Sequence, residues 1–394
     1  MARTFSPTRV DTVTYGDDAF GGIADILRAH GGRRPLAIMS GSLAGTDVEE
    51  SLRDQFGGGL VGVYSDTPQH VPRMAVLRAA ALARDVGADS VVSVGGGTPI
   101  DCAKAVAMCL AMEITEPADF DRYRVRFTYP DVHEIPDIPG RLIPHLAVPT
   151  TLSAGEHTGV AGVTDEVSHE KCVYSAPGLT PVAVVLDPDV AARTPAWLWA
   201  ASGIRAIDHA VEGILSTRSM PIGDALGAEA LRLLSANLVH SKDNPLDRQA
   251  RTDCLLGSWM SIFAAAEVGT GLSHGIGHQL AAEFDMTHGV TSAIVLPHVM
   301  AFTEELTRPQ LRRIAEAMGC DTRDQSDADA ARRAIAAVRS LVTSLGVPDT
   351  ISAAGGRRDA LPTVAERIMG DPAVAVSRRP VSRDDILSIL EAAW

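Results

Sequence analysis

The chain has 394 residues, 46% of them hydrophobic, which is long and apolar enough to bury the cores of two domains. Its 49 acidic residues against 35 basic ones, with no offsetting basic tract, argue against a nucleic-acid binder. No apolar run reaches the length of a membrane span and the opening MARTFSPTRVDTVTYG has no signal-peptide core. The five cysteines (Cys102, Cys109, Cys172, Cys254, Cys320) lack zinc-ribbon spacing, so a cytoplasmic protein with reduced, mostly buried thiols is expected.

Through the first half, short β-branched runs alternate with helical stretches. An edge-like TRVDTVTYG precedes GGIADILRAHGG, an amphipathic helix closed by glycines, and RPLAIMSG, a buried strand. A helix around DVEESLRDQF, the strand GLVGVYSD, the helix PRMAVLRAAALARDVG and the strand DSVVSVGGG follow. The alternation predicts an open α/β sheet, in which ligands gather at the carboxyl ends of the strands.

After the last of these strands, Gly95, Gly96 and Gly97 allow a ligand to approach the backbone, and Thr98 and Asp101 open the next helix. Free amides at such a helix start suit a diphosphate, although three glycines equally suit a plain strand-to-helix turn. The turn is neither a Walker loop nor GxGxxG. Ser40 and Gly41, in MSGSLAG, end an earlier strand in the same manner and are placed at the adenosine end of a nucleotide.

Residues 113 to 142, rich in proline and charge, read as a long solvated surface excursion. The chain re-enters at PHLAVPTTLSAGEHTG, whose Thr150, Thr151 and Ser153 form a turn suited to a polar ligand, with Glu156 and His157 as ordinary loop residues. Lys171 either reaches the cofactor or is solvated. The strand PVAVVLDPDV closes this half, giving a dinucleotide-binding domain over 1–188 and an all-helical catalytic domain over 189–394.

The helical half opens with Gly203, Arg205, Asp208, His209 and Glu212 on one long helix, where Arg205 and His209 stack at i, i+4. A charged pair on an inner face is unusual unless it meets a ligand or another charge, and an outward Arg205 on a bundle surface is the alternative. Four of the twelve histidines fall within residues 271 to 298. His274 and His278 share a helix face, and a tight return through AEFDMTHG brings His288 toward them. Such a cluster is a metal site or a proton-transfer site, or else three separately hydrogen-bonded histidines.

Together GGGTPIDCAKAVA, the PTT loop, GIRAIDHAVEG and the His-x3-His-x9-His stretch ending in THG and LPHV resemble the iron-containing alcohol dehydrogenases in order and spacing. The resemblance covers nearly the whole chain, to SRRPVSRDDILSILEAAW, where Ser382 and Asp385 start the final helix. It implies a Rossmann-like amino-terminal domain before an all-helical carboxy-terminal one, in a dehydroquinate synthase-like architecture. It also implies an NAD(P) cofactor, hydride transfer to or from a small carbonyl compound, and a homodimer. His278 lies near the nicotinamide in this family.

Metal-binding members hold their ion with an aspartate at the position of Arg205 together with the equivalents of His209, His274 and His288. A guanidinium cannot ligate and repels a divalent cation, so no metal is expected here. Were an ion to bind, Asp208, His209, His274 and His288 are its candidate ligands. The maleylacetate reductases of this family also lack that aspartate and work without metal, and the short PTTLSAGEHT loop and QHVP, with His70, resemble theirs. The expectation is NADH- or NADPH-dependent reduction of maleylacetate or a similar oxo acid to 3-oxoadipate, as in degradation of aromatic compounds. Arg205, His209, His274, His278 and His288 are the catalytic set. A metal-dependent alcohol dehydrogenase and a non-catalytic nucleotide-binding protein are the alternatives.

Overall fold

The computed structural model describes residues 10–128, 132–138, 142–371, 373–374 and 377–394. It divides into two compact units, one comprising Thr8–Phe127 with His133–Arg193 and the other chiefly Thr194–Trp394. The opening residues 1–9, read above for a signal core, lie outside the described residues, as do 129–131 and 139–141 of the 113–142 segment.

The first unit runs β1 (Thr12–Tyr15), α1 (Ile23–Ala29), β2 (Pro35–Met39), α2 (Asp47–Phe56), β3 (Gly62–Tyr64), α3 (Arg73–Asp85), β4 (Ser90–Gly95) and α4 (Gly97–Ala111). Next come the short strands β5 (Arg126–Thr128) and β6 (Val132–Glu134), β7 (His145–Pro149), the hairpin β8 (Val160–Asp165) and β9 (Glu170–Ser175), β10 (Ala183–Leu186) and α5 (Pro188–Ala191). Six strands form one sheet in the order β1-β10-β7-β4-β2-β3, every pair parallel. A parallel sheet is covered on both faces, and for that reason its strands read as unbroken apolar runs. In β2, Leu36 and Ile38 face the core shared with Val76, Ala80, Ala103 and Val106 of α3 and α4. Ala37 and Met39 face the opposite core with Ile23, Leu27, Val48 and Leu52 of α1 and α2.

The helices leaving β2 and β4 therefore lie on opposite faces of the sheet. These two strands are neighbours, registered from Pro35 opposite Ser90 to Met39 opposite Val94. Their carboxyl ends form a topological switch point, the crevice where parallel sheets of this kind take ligands.

The 113–142 segment is not the solvated excursion its composition implies. Ile114, Phe120, Ile138 and Leu142 are buried in the α3/α4 core, and Phe120 meets Tyr174 edge-on, with ring centroids 5.7 Å apart. Arg73 fastens the segment by donating to the Pro117 carbonyl at 3.0 Å and to Asp121 at 2.7 Å. Isolated apolar residues among charges give no periodic pattern, yet these four bury.

The second unit is helical: α6 (Ala196–Leu215), α7 (Pro221–Asp243), α8 (Arg248–Val268), α9 (Leu272–Phe284), α10 (His288–Ala317), α11 (Asp327–Leu345), α12 (Leu361–Ile368) and α13 (Arg383–Ala392). Ser382 and Asp385 form a capping box at the start of α13. Asp285, in the left-handed conformation at φ 53°, ends α9 and turns the chain directly into α10. All five cysteines are free thiols, and four are buried. Among the described residues no single helix is long and apolar enough to cross a membrane.

Candidate active site

In the helical unit, α6, α9 and α10 bring together the charged and imidazole groups. Sixteen of the twenty residues of α6 are buried, and its polar members Asp208, His209 and Glu212 recur at helical spacing on that inner surface. Arg205 is 12% exposed at its side chain, so it is no surface arginine. Its Nη1 donates to Ser292 Oγ at 3.1 Å and lies 3.7 Å from Asp208 Oδ2. The same Asp208 oxygen accepts from Ser292 Oγ at 2.5 Å and Ser273 Oγ at 3.1 Å, and lies 3.5 Å from His274 Nδ1.

Glu212, given no role from the sequence, anchors the start of α9. Its carboxylate accepts from the amides of Gly271 at 2.7 Å and Ser273 at 2.6 Å, groups a helix start leaves free. It also bonds His274 Nδ1 at 2.6 Å, which leaves His274 Nε2 as the open ring atom. The imidazoles form a chain: His209 stacks on His274 at 5.0 Å between centroids, His274 meets His278 edge-on at 6.4 Å, and His278 meets His288 edge-on at 5.8 Å. The tight return does bring His288 to the pair. His278 Nδ1 in turn bonds Asp371 Oδ2 at 3.2 Å. Asp371 lies outside any motif, so no spacing signal marks it, whereas Glu212 was detectable as the next buried acid on α6.

Burial dominates the protonation of this cluster. It pushes the proton affinity of Asp208 up, with the neighbouring Glu212 adding to the shift and Arg205 opposing it. Glu212 is likewise raised by burial, against the pull of the Ser273 and Gly271 amides. His209 and His274 are held well below the usual imidazole range, first by burial and then by neighbouring cationic groups. Against burial, which raises it, the hydrogen bond and charge of His278 keep Asp371 low. Asp208 Oδ1, His209 Nδ1 and His274 Nε2 are buried without a hydrogen-bond partner. A buried polar atom without a partner costs about 1–3 kcal/mol, so each of these three calls for a polar partner.

Asp208, Glu212 and His274 place one ligand atom each within 4.8 Å of one another, a different set from the Asp208, His209, His274 and His288 expected from the sequence. This donor set fits a divalent ion poorly. Both Glu212 oxygens are taken by amides and by His274, and the permanent cation of Arg205, 3.7 Å from Asp208 Oδ2, repels a second cation there.

In the α/β unit, the predicted nucleotide residues collect at the switch point. Gly95 has φ +142°, and a Cβ there would lie 2.1 Å from Ser40 Oγ, so the crossing of these two strand ends requires glycine. The start of α4 has no side-chain cap, which leaves the Gly97 and Thr98 amides to a ligand. Thr151 packs beside Gly96 and Ser153 beside Gly97, Thr150 donates its amide to Gly95 at 2.9 Å, and Gly41 approaches the Ser65 carbonyl. These features fit a dinucleotide phosphate. Asp101 differs from expectation: its carboxylate accepts the Gly162 amide at 3.2 Å and so ties α4 to the β8 strand. Lys171, on β9, is exposed, with its stem against Gly162 and its charge felt by Asp101. Glu156 and His157 are buried rather than solvated.

Both halves of the chain match known proteins. Residues 11–188 match the family profile "Iron-containing alcohol dehydrogenase", and residues 199–394 match "Fe-containing alcohol dehydrogenase family, C-terminal". The chain is 30% identical over 383 residues to the maleylacetate reductase of Sphingobium indicum, covering 97% of this chain and 94% of that one. It is 28% identical over 387 residues to the lactaldehyde reductase of Escherichia coli K12, covering 98% of each. Its structure is similar to that of 1,3-propanediol oxidoreductase, with a TM-score of 0.91, 26% identity and 100% of both chains covered. The chain thus belongs to the iron-containing alcohol dehydrogenase family and is an NAD(P)-dependent oxidoreductase.

Proposed function

We propose that the chain reduces a small unsaturated oxo acid, with maleylacetate as reference substrate and 3-oxoadipate as product, using NADH or NADPH and no metal ion. The observation carrying this reading is the buried Arg205 guanidinium, held by Ser292 and Asp208 within a cluster of three unpartnered polar atoms. Adding hydride to a carbonyl, or to a double bond conjugated with one, builds negative charge on oxygen, which a fixed cation stabilises. A guanidinium also grips a carboxylate at two points, which favours an acid over a simple alcohol.

In this reading the glycine turn, Ser40, Gly41, Thr150, Thr151 and Ser153 hold the nucleotide, whose reduced nicotinamide supplies the hydride. Arg205 receives the developing charge. With Asp208 protonated, as its burial favours, that charge is not cancelled. His274 Nε2 gives its proton to the enolate oxygen and the resulting enol tautomerises to 3-oxoadipate, while Nδ1 takes the proton that burial favours on Glu212. The imidazole thereby stays neutral before and after the step. His209, stacked on His274, is the second candidate donor, and His278 and His288 bound the reacting groups. A homodimer completes the reading.

Elemental analysis beside NADH and NADPH oxidation with maleylacetate, before and after chelator, tests it. Turnover that survives chelator in metal-free protein is the expected result. Stoichiometric iron or zinc, with chelator-sensitive turnover of aldehydes alone, would overturn it in favour of a metal-dependent dehydrogenase. A second prediction concerns Asp371, which fixes the His278 ring. Asp371→Ala is expected to lower kcat about tenfold or more, as losing the group that orients a catalytic imidazole does. The nucleotide KM is expected to hold, and an unchanged kcat would remove His278 from the reacting groups.

A further inference from the structure

We propose that Lys104 is a positioning residue for the nucleotide, fixing the span between the glycine turn and the hydroxyl-bearing loop; this rests on the reading that the nucleotide lies at that turn. Lys104 projects from α4, the helix whose first residues are the glycine turn, and it is fully buried. A lysine ammonium has three N–H donors and no acceptor. Here they meet three carbonyls of one segment: Gly155 at 2.6 Å, Thr158 at 2.7 Å and Val160 at 2.8 Å. No carboxylate is bonded to the ammonium; burial lowers its pKa to about 8, and the nearby Asp101 and Glu156 oppose that fall. A buried charge satisfied only by neutral oxygens, these three carbonyls and the Thr158 hydroxyl at 3.4 Å, is costly unless the geometry it fixes matters.

That geometry is the far wall of the crevice. The segment bonded by Lys104 continues directly from Thr150, whose amide donates to the Gly95 carbonyl, and from Thr151 and Ser153, whose side chains lie beside Gly96 and Gly97. Between them Ala154 takes the left-handed conformation at φ 62°, unusual for a residue with a Cβ. Such a conformation persists only where its surroundings over-determine it, and the bond from Lys104 to the very next carbonyl, that of Gly155, supplies the constraint. One side chain thus connects the two walls through the body of α4.

The experiment compares Lys104→Met with Val106→Ala, an apolar core truncation two residues along the same helix, by NADH and NADPH titration at a temperature where both variants are folded. Lys104→Met is expected to raise the nucleotide dissociation constant about tenfold or more, with kcat at saturating nucleotide within about threefold, because a small displacement of positioning groups is expensive. Val106→Ala is expected to leave nucleotide affinity at the wild-type value. Equal affinities in the two variants would reduce Lys104 to a structural role and overturn the proposal. Gly97→Val separates the proposal from the reading beneath it: retained affinity there would place the nucleotide elsewhere and overturn both. Hydrogen exchange on the unaltered protein gives a measurement that needs no variant. Saturating nucleotide is expected to slow the amides of residues 155–160, and exchange indifferent to nucleotide would overturn the proposal.

Discussion

Arg205→Met is expected to lower turnover of an oxo acid by about 10²–10³-fold, the usual loss when one group that stabilises a developing oxyanion is removed, while the nucleotide dissociation constant stays near its wild-type value. Methionine keeps much of the length and the apolar stem, so the packing around α6 survives. What disappears is the charge beside Asp208 and the donor to Ser292. Removing a buried cation normally strands its partner, but Asp208 is already pushed toward its neutral form by burial and by Glu212, so its proton limits the penalty. Arg205→Lys is the sharper comparison. It retains a charge but not the planar fork, so KM for a dicarboxylate is expected to rise more than for a neutral aldehyde. Stopped-flow turnover and fluorescence titration of NADPH, run on the same preparations, check both effects. Unchanged turnover in Arg205→Met would remove the residue from the mechanism and, with it, the preference for an acid.

The sequence shows the polar groups of the buried cluster more clearly than what orients them. Helix α6 declares itself because Arg205, Asp208, His209 and Glu212 fall at three- and four-residue steps within an otherwise apolar run, and such residues must share one buried surface. His274, His278 and His288 are legible for the same reason, together with the short return between α9 and α10. The parallel sheet is legible in PLAIM and SVVSVG, since strands buried on both faces carry no polar alternation. Partners that are distant in sequence are not legible. Asp371 lies 93 residues from His278 in an irregular segment, and nothing local marks it as the acceptor of that ring. Glu212 appears on the right face, yet its service to the Gly271 and Ser273 amides depends on where α9 begins. Composition misleads at residues 113–142, where the charges that dominate are exposed and the few apolar residues do the packing. It misleads again at Glu156 and His157, which are buried although the loop around them is polar.

Gly289→Ala is expected to cost about 3 kcal/mol or more, beyond the usual range for one added methyl because both obstructing groups are helix backbones. A Cβ at position 289 would lie 2.0 Å from the Ala201 carbonyl oxygen and 2.3 Å from its carbon. Neither can rotate away, so α10 would have to move off α6 along the line where they cross. The motif THG thus reflects a helix crossing as well as a catalytic neighbour, since His288 precedes this glycine and Ser292, which bonds both Arg205 and Asp208, follows it one turn later. A displaced α10 carries both side chains away from the cluster together. Activity is therefore expected to fall further than stability alone accounts for, with the loss persisting well below the melting temperature. Gly203→Ala provides the contrast on α6: the atoms nearest its Cβ would be those of the Leu238 side chain, at 2.4 Å, and not backbone. That contact relaxes by a change of rotamer, and the helix propensity of alanine returns about 1 kcal/mol. Thermal melts of the two variants beside kcat at 25 °C would decide the matter, and equal behaviour would mean that α10 tolerates the shift and that the spacing of α6 and α10 does not set the geometry of the site.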